Sequence, residues 1–234
     1  MQLSVVIPAY NEGHRILTTL ERVVEFSRSK LDRWEILVVD DGSTDGTAEV
    51  VSRSTDARLL RNGANRGKGY SVRHGMLEAT LDPILFTDAD LSTPIGEALP
   101  LMRALDAGAS VAIASRLPDS GKQVRRTPHR RLMALVFRWV VKAIALRGYH
   151  DTQCGFKVFR RDAARAIFSR QRIDRWGFDV EVLYLAGKLA LQVAQVPVAW
   201  QESTESRLKL TTPLTMIADL LRIRWYDVRG FYRL

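Results

Sequence analysis

Three short apolar runs, each stopping at a cluster of acids and turn formers, constrain this chain more than any other feature. Leu3-Ser4-Val5-Val6-Ile7-Pro8-Ala9 stops at Tyr10-Asn11-Glu12, Glu35-Ile36-Leu37-Val38-Val39 stops at Asp40-Asp41-Gly42-Ser43-Thr44-Asp45-Gly46, and Pro83-Ile84-Leu85-Phe86-Thr87 stops at Asp88-Ala89-Asp90. Near-continuous apolar runs of this length read as strands buried on both faces, the habit of parallel sheets. Ile16, Leu17, Leu20, Val23 and Val24 recur at helical spacing in the segment that reaches Ser27. A second helix is expected after the second run, capped by Thr44 or Asp45, and a third from Leu91-Ser92-Thr93-Pro94 onward. If the strands are parallel neighbours, their carboxyl ends line one crevice, and acids far apart in sequence meet there. Turn chemistry accounts for Asp, Asn, Gly and Ser at each run's end singly. It does not account for the repetition.

Asp88 and Asp90 are the sharpest of these acids. Two carboxylates one residue apart on a strand-end turn can both face a divalent cation, and hard oxygen ligands suit Mg²⁺ or Mn²⁺ bridging the phosphates of a nucleotide. Helix capping is the plainer use of the same residues. His14, His74, His129 and His150 do not stand at metal-ligand spacing, so zinc is not expected. The one cysteine, Cys154, excludes an intramolecular disulfide and fits a reducing compartment. Met1 lies just ahead of the first run, which leaves no room for a signal peptide. No run approaches the roughly 20 apolar residues of a spanning helix. The expected location is cytoplasmic, peripheral on the inner face of the membrane.

Charge divides the chain in two. Residues 1–114 hold twelve Lys and Arg against sixteen Asp and Glu, so the net charge of +9 comes wholly from the remainder, which holds twenty-three against ten. From Arg116 to Arg131 six basic residues (Arg116, Lys122, Arg125, Arg126, Arg130, Arg131) face only Asp119, in a stretch marked as loop by Pro118, Gly121 and Pro128. A solvated face is the plain reading of such a run. The segment that follows is an apolar helix with Leu132, Leu135, Phe137, Trp139, Val140 and Ile144 beside Arg131, Arg138 and Lys142, a combination suited to a lipid interface, with core packing as its rival. After Pro213 a final helix mixes Leu214, Met216, Ile217, Leu220, Leu221, Ile223 and Trp225 with Arg222, Arg224, Arg229 and Arg233. Aromatics with arginines suit headgroup depth. Dipole complementation and a homodimer contact are the alternatives.

Taken together, Ser4 to Glu12, Val38 to Thr47, Asn65-Arg66-Gly67-Lys68-Gly69 and Thr87-Asp88-Ala89-Asp90 resemble the landmarks of inverting family 2 glycosyltransferases with the GT-A fold. In the second half, Ala114-Ser115-Arg116, Asp151-Thr152-Gln153-Cys154-Gly155-Phe156-Lys157, Gly177-Phe178-Asp179-Val180-Glu181 and Trp200 through Arg224 are similar to the polyprenyl-phosphate and dolichyl-phosphate β-glucosyltransferases and their mannosyltransferase cousins. The resemblance covers nearly the whole chain. It implies an α/β fold with a mostly parallel sheet flanked by helices. The expected layout is a GT-A domain over residues 1–205, with 1–115 as the nucleotide-sugar half and 116–205 as the acceptor half, followed by a membrane-facing amphipathic helical tail over 206–234.

The resemblance also implies roles. Pro8, Ala9, Tyr10 and Glu12 would hold the base and ribose of a nucleotide sugar, Asp41 would accept from the base, Lys68 would approach the donor beside Ala89, and Asp88 and Asp90 would hold Mg²⁺ or Mn²⁺ on the diphosphate. Arg116, Arg131 and Arg207 would meet the phosphate of a polyprenyl acceptor, and Asp90, Asp151 and Arg116 form the expected catalytic set. Asp151, Asp179 and Glu181 are open to use as a base, as a second metal contact or to orient those arginines, while Gly177 to Glu181 also reads as a helix start with capping acids. The chain departs from its cousins at two positions. The mannosyltransferases follow Leu91 with glutamine where this chain has Ser92, and the family's lysine after Ser206 is Arg207 here, which keeps the charge and gains a bidentate fork. UDP-glucose is the preferred donor and GDP-mannose the second. A soluble or glycolipid hydroxyl acceptor is the nearest rival reading. A nucleotidyltransferase would want a Gly-rich phosphate loop after the first strand, and a nucleic-acid binder would not gather acids at three strand ends.

Overall fold

The computed structural model describes residues 1–116, 124–125, 148–201 and 212–233 of the 234-residue chain. Strand β1 (Gln2–Ala9) leads to helix α1 (Ile16–Lys30), β2 (Arg33–Asp40), α2 (Thr47–Ser52), β3 (Arg58–Arg61), α3 (Lys68–Glu78) and β4 (Ile84–Thr87). A short 3₁₀ turn (Ile95–Glu97) opens α4 (Ala98–Asp106), and β5 (Val111–Ser115) and β6 (Val124–Arg125) follow. The rest is β7 (Phe156–Phe159), α5 (Arg161–Phe168), α6 (Phe178–Lys188), β8 (Val193–Pro197), β9 (Trp200–Gln201) and α7 (Thr212–Val228).

Seven strands form one sheet in the order β3-β2-β1-β4-β7-β5-β8, and β6 pairs with β9 in a second, two-stranded sheet. Every pairing in the large sheet is parallel except those of β7, which runs against both β4 and β5. The mostly parallel sheet expected from the apolar runs is therefore present, with one reversed strand inserted between β4 and β5. Alternate residues of the strands feed two cores. Val6, Leu37, Val39, Ile84, Phe86, Val111, Ile113 and Phe159 pack with α3, α5, α6 and α7 on one face. Leu3, Val5, Ile7, Ile36, Val38, Leu85, Ala112, Phe156 and Val158 pack with α1 and α4 on the other. Burial on both faces is why the strands read as unbroken apolar runs.

Two helix starts differ from the sequence reading. The helix expected from Leu91 begins only at Ala98, because Leu91 itself takes a left-handed φ of 45° and Pro94 is extended. Ahead of α2 the N-cap is Gly46 at φ 85°, and Asp45 acts from one residue further out, its carboxylate accepting the Thr47 N–H at 3.1 Å. Helix α7 is also more than a surface appendage: Met216, Leu220 and Ile223 are buried, and Tyr232 beyond it is wholly buried in the same core as α3, α5 and α6.

Helix α3 crosses β1 and β2 at a point where no side chain fits. A Cβ on Gly75 would lie 2.4 Å from Val6 Cγ1 and 2.9 Å from Val39 Cγ2. Gly75→Ala is therefore expected to destabilise the fold by about 1–3 kcal/mol through overpacking, although alanine ordinarily favours a helix by ~1 kcal/mol over glycine. A urea titration read by far-UV circular dichroism gives the sign.

Candidate active site

Because β1, β2, β4 and β5 run the same way, the loops after Ala9, Asp40, Thr87 and Ser115 open on one edge of the sheet. The reversed β7 contributes at that edge the residues that precede it, since Phe156 sits opposite Thr87. Asp151 to Gly155 therefore face the acidic strand ends although they lead into a strand instead of leaving one. A crevice at the carboxyl ends of an open α/β sheet is where ligands bind.

The loops after β1 and β2 are stitched together. The Asn11 N–H donates to Ser43 Oγ at 2.9 Å, Glu12 N–H to Thr47 Oγ1 at 2.8 Å and Gly13 N–H to Asp45 Oδ2 at 2.9 Å, while Asn11 Oδ1 accepts from the Thr44 N–H at 2.8 Å. Pro8 is partly buried and Ala9 buried, whereas Tyr10 stands 38% exposed at the mouth of this double loop. Asp41, expected to face a nucleobase, is buried and clamps the next loop: Oδ1 accepts from the Asn62 amide at 2.8 Å and the Arg66 N–H at 2.9 Å, and Oδ2 from the Gly67 N–H at 2.8 Å. Its carboxylate thus fixes the start of α3, where Lys68 is the first residue.

Lys68 reaches across to the turn after β4. Its ammonium lies 2.5 Å from Asp88 Oδ1 and 5.3 Å and 5.9 Å from the ring centres of Trp176 and Phe178. Burial works to lower the Lys68 pKa, but Asp88, Asp179 and Asp90 together outweigh it and hold the group above its ordinary value. Asp88 donates its N–H to the Gly155 carbonyl at 3.1 Å, and a Cβ on Gly155 would sit 2.1 Å from Asp88 Oδ2. Only glycine lets the carboxylate lie there. Asp90 Oδ1 accepts from the Ser92 N–H at 2.9 Å, and the carbonyl of the buried Ala89 takes the Thr19 hydroxyl at 2.5 Å, tying this turn to α1.

Among the described residues no group of three or more acids, histidines or cysteines could enclose a metal ion. The pair Asp88 and Asp90 suits a cation whose remaining ligands are phosphate oxygens and water, as Mg²⁺ binds beside nucleotides. Asp88 already holds a cation of another kind, the Lys68 ammonium.

Arg116 and Asp151 face each other as a fork: Nε to Oδ2 at 2.5 Å and Nη2 to Oδ1 at 2.7 Å, with the Arg116 N–H adding a third bond to Oδ2 at 3.1 Å. The guanidinium lies 5.2 Å from the Trp200 ring centre. Burial disfavours its charge, yet Asp151 prevails and the Arg116 pKa is raised. Of the uses the sequence left open for Asp151, the structure shows the orienting of an arginine.

Asp179 and Glu181 do not cap α6, which has no side-chain cap at Gly177. The Asp179 carboxylate is buried and paired with the Lys157 ammonium, which also donates to the Cys154 carbonyl at 2.7 Å. Burial raises the Asp179 pKa, with Lys157 and Lys68 pulling the other way. Glu181 accepts from the Arg172 and Ile173 N–H groups at 2.9 and 2.8 Å and from the Tyr232 hydroxyl. Lys157, quoted in the resemblance but given no role there, is the buried partner of Asp179, and its signal was a lysine inside the apolar strand Phe156-Lys157-Val158-Phe159. Arg131 and Arg207, like the apolar helix expected from Leu132, lie outside the described residues.

The profile of Glycosyl transferase family 2 matches residues 4–168, a span that contains every strand end just described. The chain belongs to that family and is a glycosyltransferase of the GT-A fold. Its relatives include the dolichyl-phosphate beta-glucosyltransferases of Drosophila melanogaster, 38% identical over 256 residues (100% of this chain, 78% of that one), and of Dictyostelium discoideum, 36% identical over 250 residues (99% and 76%). The human enzyme of the same name is 34% identical over 252 residues, covering 100% of this chain and 78% of its own. Among solved structures, glucosyl-3-phosphoglycerate synthase from Mycobacterium tuberculosis, bound to Mn²⁺, UDP-glucose and phosphoglyceric acid, superposes with a TM-score of 0.73 at 22% identity, covering 95% of this chain and 79% of that one. Mannosyl-3-phosphoglycerate synthase from Rubrobacter xylanophilus gives 0.72 at 21%, covering 100% and 76%.

Burial lifts the Glu181 pKa to about 7 against an ordinary 4.5. The folded protein therefore keeps a proton that the unfolded chain gives up, and this group's contribution to stability is full below about pH 4.5 and lost as pH rises through about 7. Glu181→Gln is expected to remove that slope, worth about 3 kcal/mol between the two limits. Denaturation midpoints measured from pH 4.5 to 8 for both proteins check it.

Proposed function

We propose that this protein transfers glucose from UDP-glucose, with inversion at the anomeric carbon, to the phosphate of a dolichyl or other polyprenyl carrier at a membrane surface. GDP-mannose is the second donor. The reading is carried by one arrangement: a carboxylate pair with a lysine and a forked arginine–aspartate pair open on the same sheet edge. The names of the relatives agree with it.

The loops at Pro8 to Glu12 and the turn held by Asp41 would receive the nucleoside, with the exposed Tyr10 ring beside it. Asp88 and Asp90 would hold Mg²⁺ or Mn²⁺, which supplies charge neutralisation for the departing diphosphate when bound. Lys68, which reaches this turn, would add positive charge near the diphosphate. Arg116 spends two of its five N–H donors on Asp151, which leaves three for an acceptor phosphate and fixes the plane in which they point. The acceptor phosphate oxygen forms the new bond to the anomeric carbon as the bond to the nucleoside diphosphate breaks. A phosphate is anionic near neutral pH and needs no general base, whereas a hydroxyl acceptor would need a carboxylate to take its proton. Asp151 and Asp179 are both engaged with cationic side chains, which favours the phosphate.

Membrane contact is supported by α7 and the turn after it. Leu221, Trp225, Val228 and Phe231 are 56%, 50%, 84% and 43% exposed along one stripe, and Arg222, Arg224, Arg229 and Arg233 are exposed beside them. The Arg229 guanidinium lies 5.3 Å from the Trp225 ring centre and that of Arg172 lies 5.0 Å from Phe231. No described helix is long and apolar enough to cross a membrane. Such a stripe would rest in the headgroup layer.

Incubated with radiolabelled UDP-glucose, a short polyprenyl phosphate and Mn²⁺, the protein is expected to move label into the organic phase, and Asp90→Ala to reduce that transfer at least about 10³-fold while staying folded. Label confined to the aqueous phase with both UDP-glucose and GDP-mannose would refute the reading. For the membrane surface, Trp225→Glu is expected to cut flotation with anionic liposomes several-fold without changing UDP binding. Undiminished flotation would remove α7 from the contact.

A further inference from the structure

On the metal-assisted reading above, Asp88 does not stand ready for a metal. Its Oδ1 takes the Lys68 ammonium at 2.5 Å, and its other oxygen is pressed against Gly155. The backbone of Lys68 is held in place because Asp41 clamps the Arg66 and Gly67 N–H groups immediately before it, and Gly67 adopts φ 108°. The side chain is not locked in the same way. It is 16% exposed, and beside it lie the flat walls of Trp176 and Phe178. Asp179 acts on the ammonium as a second negative charge, itself held by Lys157, which is wholly buried and also tied to the Cys154 carbonyl.

We propose that Lys68 keeps the cation's place before ligands bind, and that it yields Asp88 only when a divalent ion and a nucleoside diphosphate arrive together, remaining near the crevice beside Asp179. A divalent ion arriving alone must break a charge-assisted bond and leave an ammonium next to itself in a half-buried setting, where like charges are poorly screened. The diphosphate removes both penalties. Its oxygens complete the metal's shell and give the displaced ammonium an anionic partner. Ion and nucleotide therefore strengthen each other's binding, and the coupling is the same read from either side. Lys157 and Asp179 are positioning residues here: they act by keeping Lys68 within reach.

Mn²⁺ binding to the full chain is measured by the electron paramagnetic resonance signal of the free ion, with and without saturating UDP, for the wild type and for Lys68→Met, without any turnover. If Lys68 is a placeholder, the variant binds Mn²⁺ alone about tenfold more tightly than wild type. With UDP present the two proteins then bind Mn²⁺ equally, so the enhancement by UDP shrinks by the same factor. Equal tightening in both conditions would mean a bystander positive charge and would overturn the proposal, as would unchanged Mn²⁺ affinity without UDP. Lys68→Gln serves as a second variant with the same expected pattern. Failure of the wild type to take up Mn²⁺ in the presence of either UDP or GDP would instead defeat the metal-assisted reading itself.

Discussion

The crevice is built over two lysines and two aspartates whose charges neutralise one another: Lys68 with Asp88 at the surface, and Lys157 with Asp179 beneath. Lys157 is wholly buried and Asp179 nearly so. Neither charge could be kept there alone, since stripping one partner from a buried pair typically costs about 3–5 kcal/mol. Each member sits on a different piece of the fold. Lys68 opens α3, Asp88 follows β4, Lys157 lies within β7 and Asp179 within α6. The electrostatic balance of the site is therefore also a set of struts between four elements. Glu181 extends the framework by joining the loop at Arg172 and Ile173 to Tyr232 near the end of the chain.

Much of the donor side was legible because its physics is local. Strands β1, β2 and β4 are buried on both faces and so appear as apolar runs, and the acids that end them are fixed to the crevice by strand direction alone. Asp88 and Asp90 were singled out in this way, whereas Arg116 and Asp151 entered through the family resemblance, and the structure brings all four to the same sheet edge. Their partners were legible only in part. That Asp151 orients an arginine stood among the readings left open; that Lys68 grips Asp88 depends on strand order, which leaves no periodic trace. Asp41 shows the limit from the other direction: its type and place suggested a ligand contact, and its three hydrogen bonds go to the protein's own Asn62, Arg66 and Gly67. Strand β3, Arg58-Leu59-Leu60-Arg61, was invisible because a four-residue edge strand with an arginine at each end carries no apolar run.

Helix α7 is divided in a way its composition obscures. Its apolar residues are enough for two faces, and the structure uses them for two purposes. Met216, Leu220 and Ile223 complete the core, while Leu221, Trp225 and Val228 are left outside with the arginines. A count of apolar residues would have assigned them all to one role. The helix thereby couples the protein's exterior to the loop at Trp176, since Asp219 lies against Gly177, where a Cβ would meet the Asp219 Cβ at 2.4 Å.

The position of β7 also sets an order on assembly. Strands β4 and β5 follow one another in the chain but do not pair, and the slot between them is filled by residues 156–159, which leave the ribosome some forty residues after β5. Until those residues arrive, both neighbours present open apolar edges, a state prone to pairing with the wrong chain. The backing of Asp88 by Gly155 and the charge of Lys157 come with the same strand. The gap in the middle of the sheet and the backing of Asp88 are thus filled by one strand, with Asp179 and β8 still to follow in the chain.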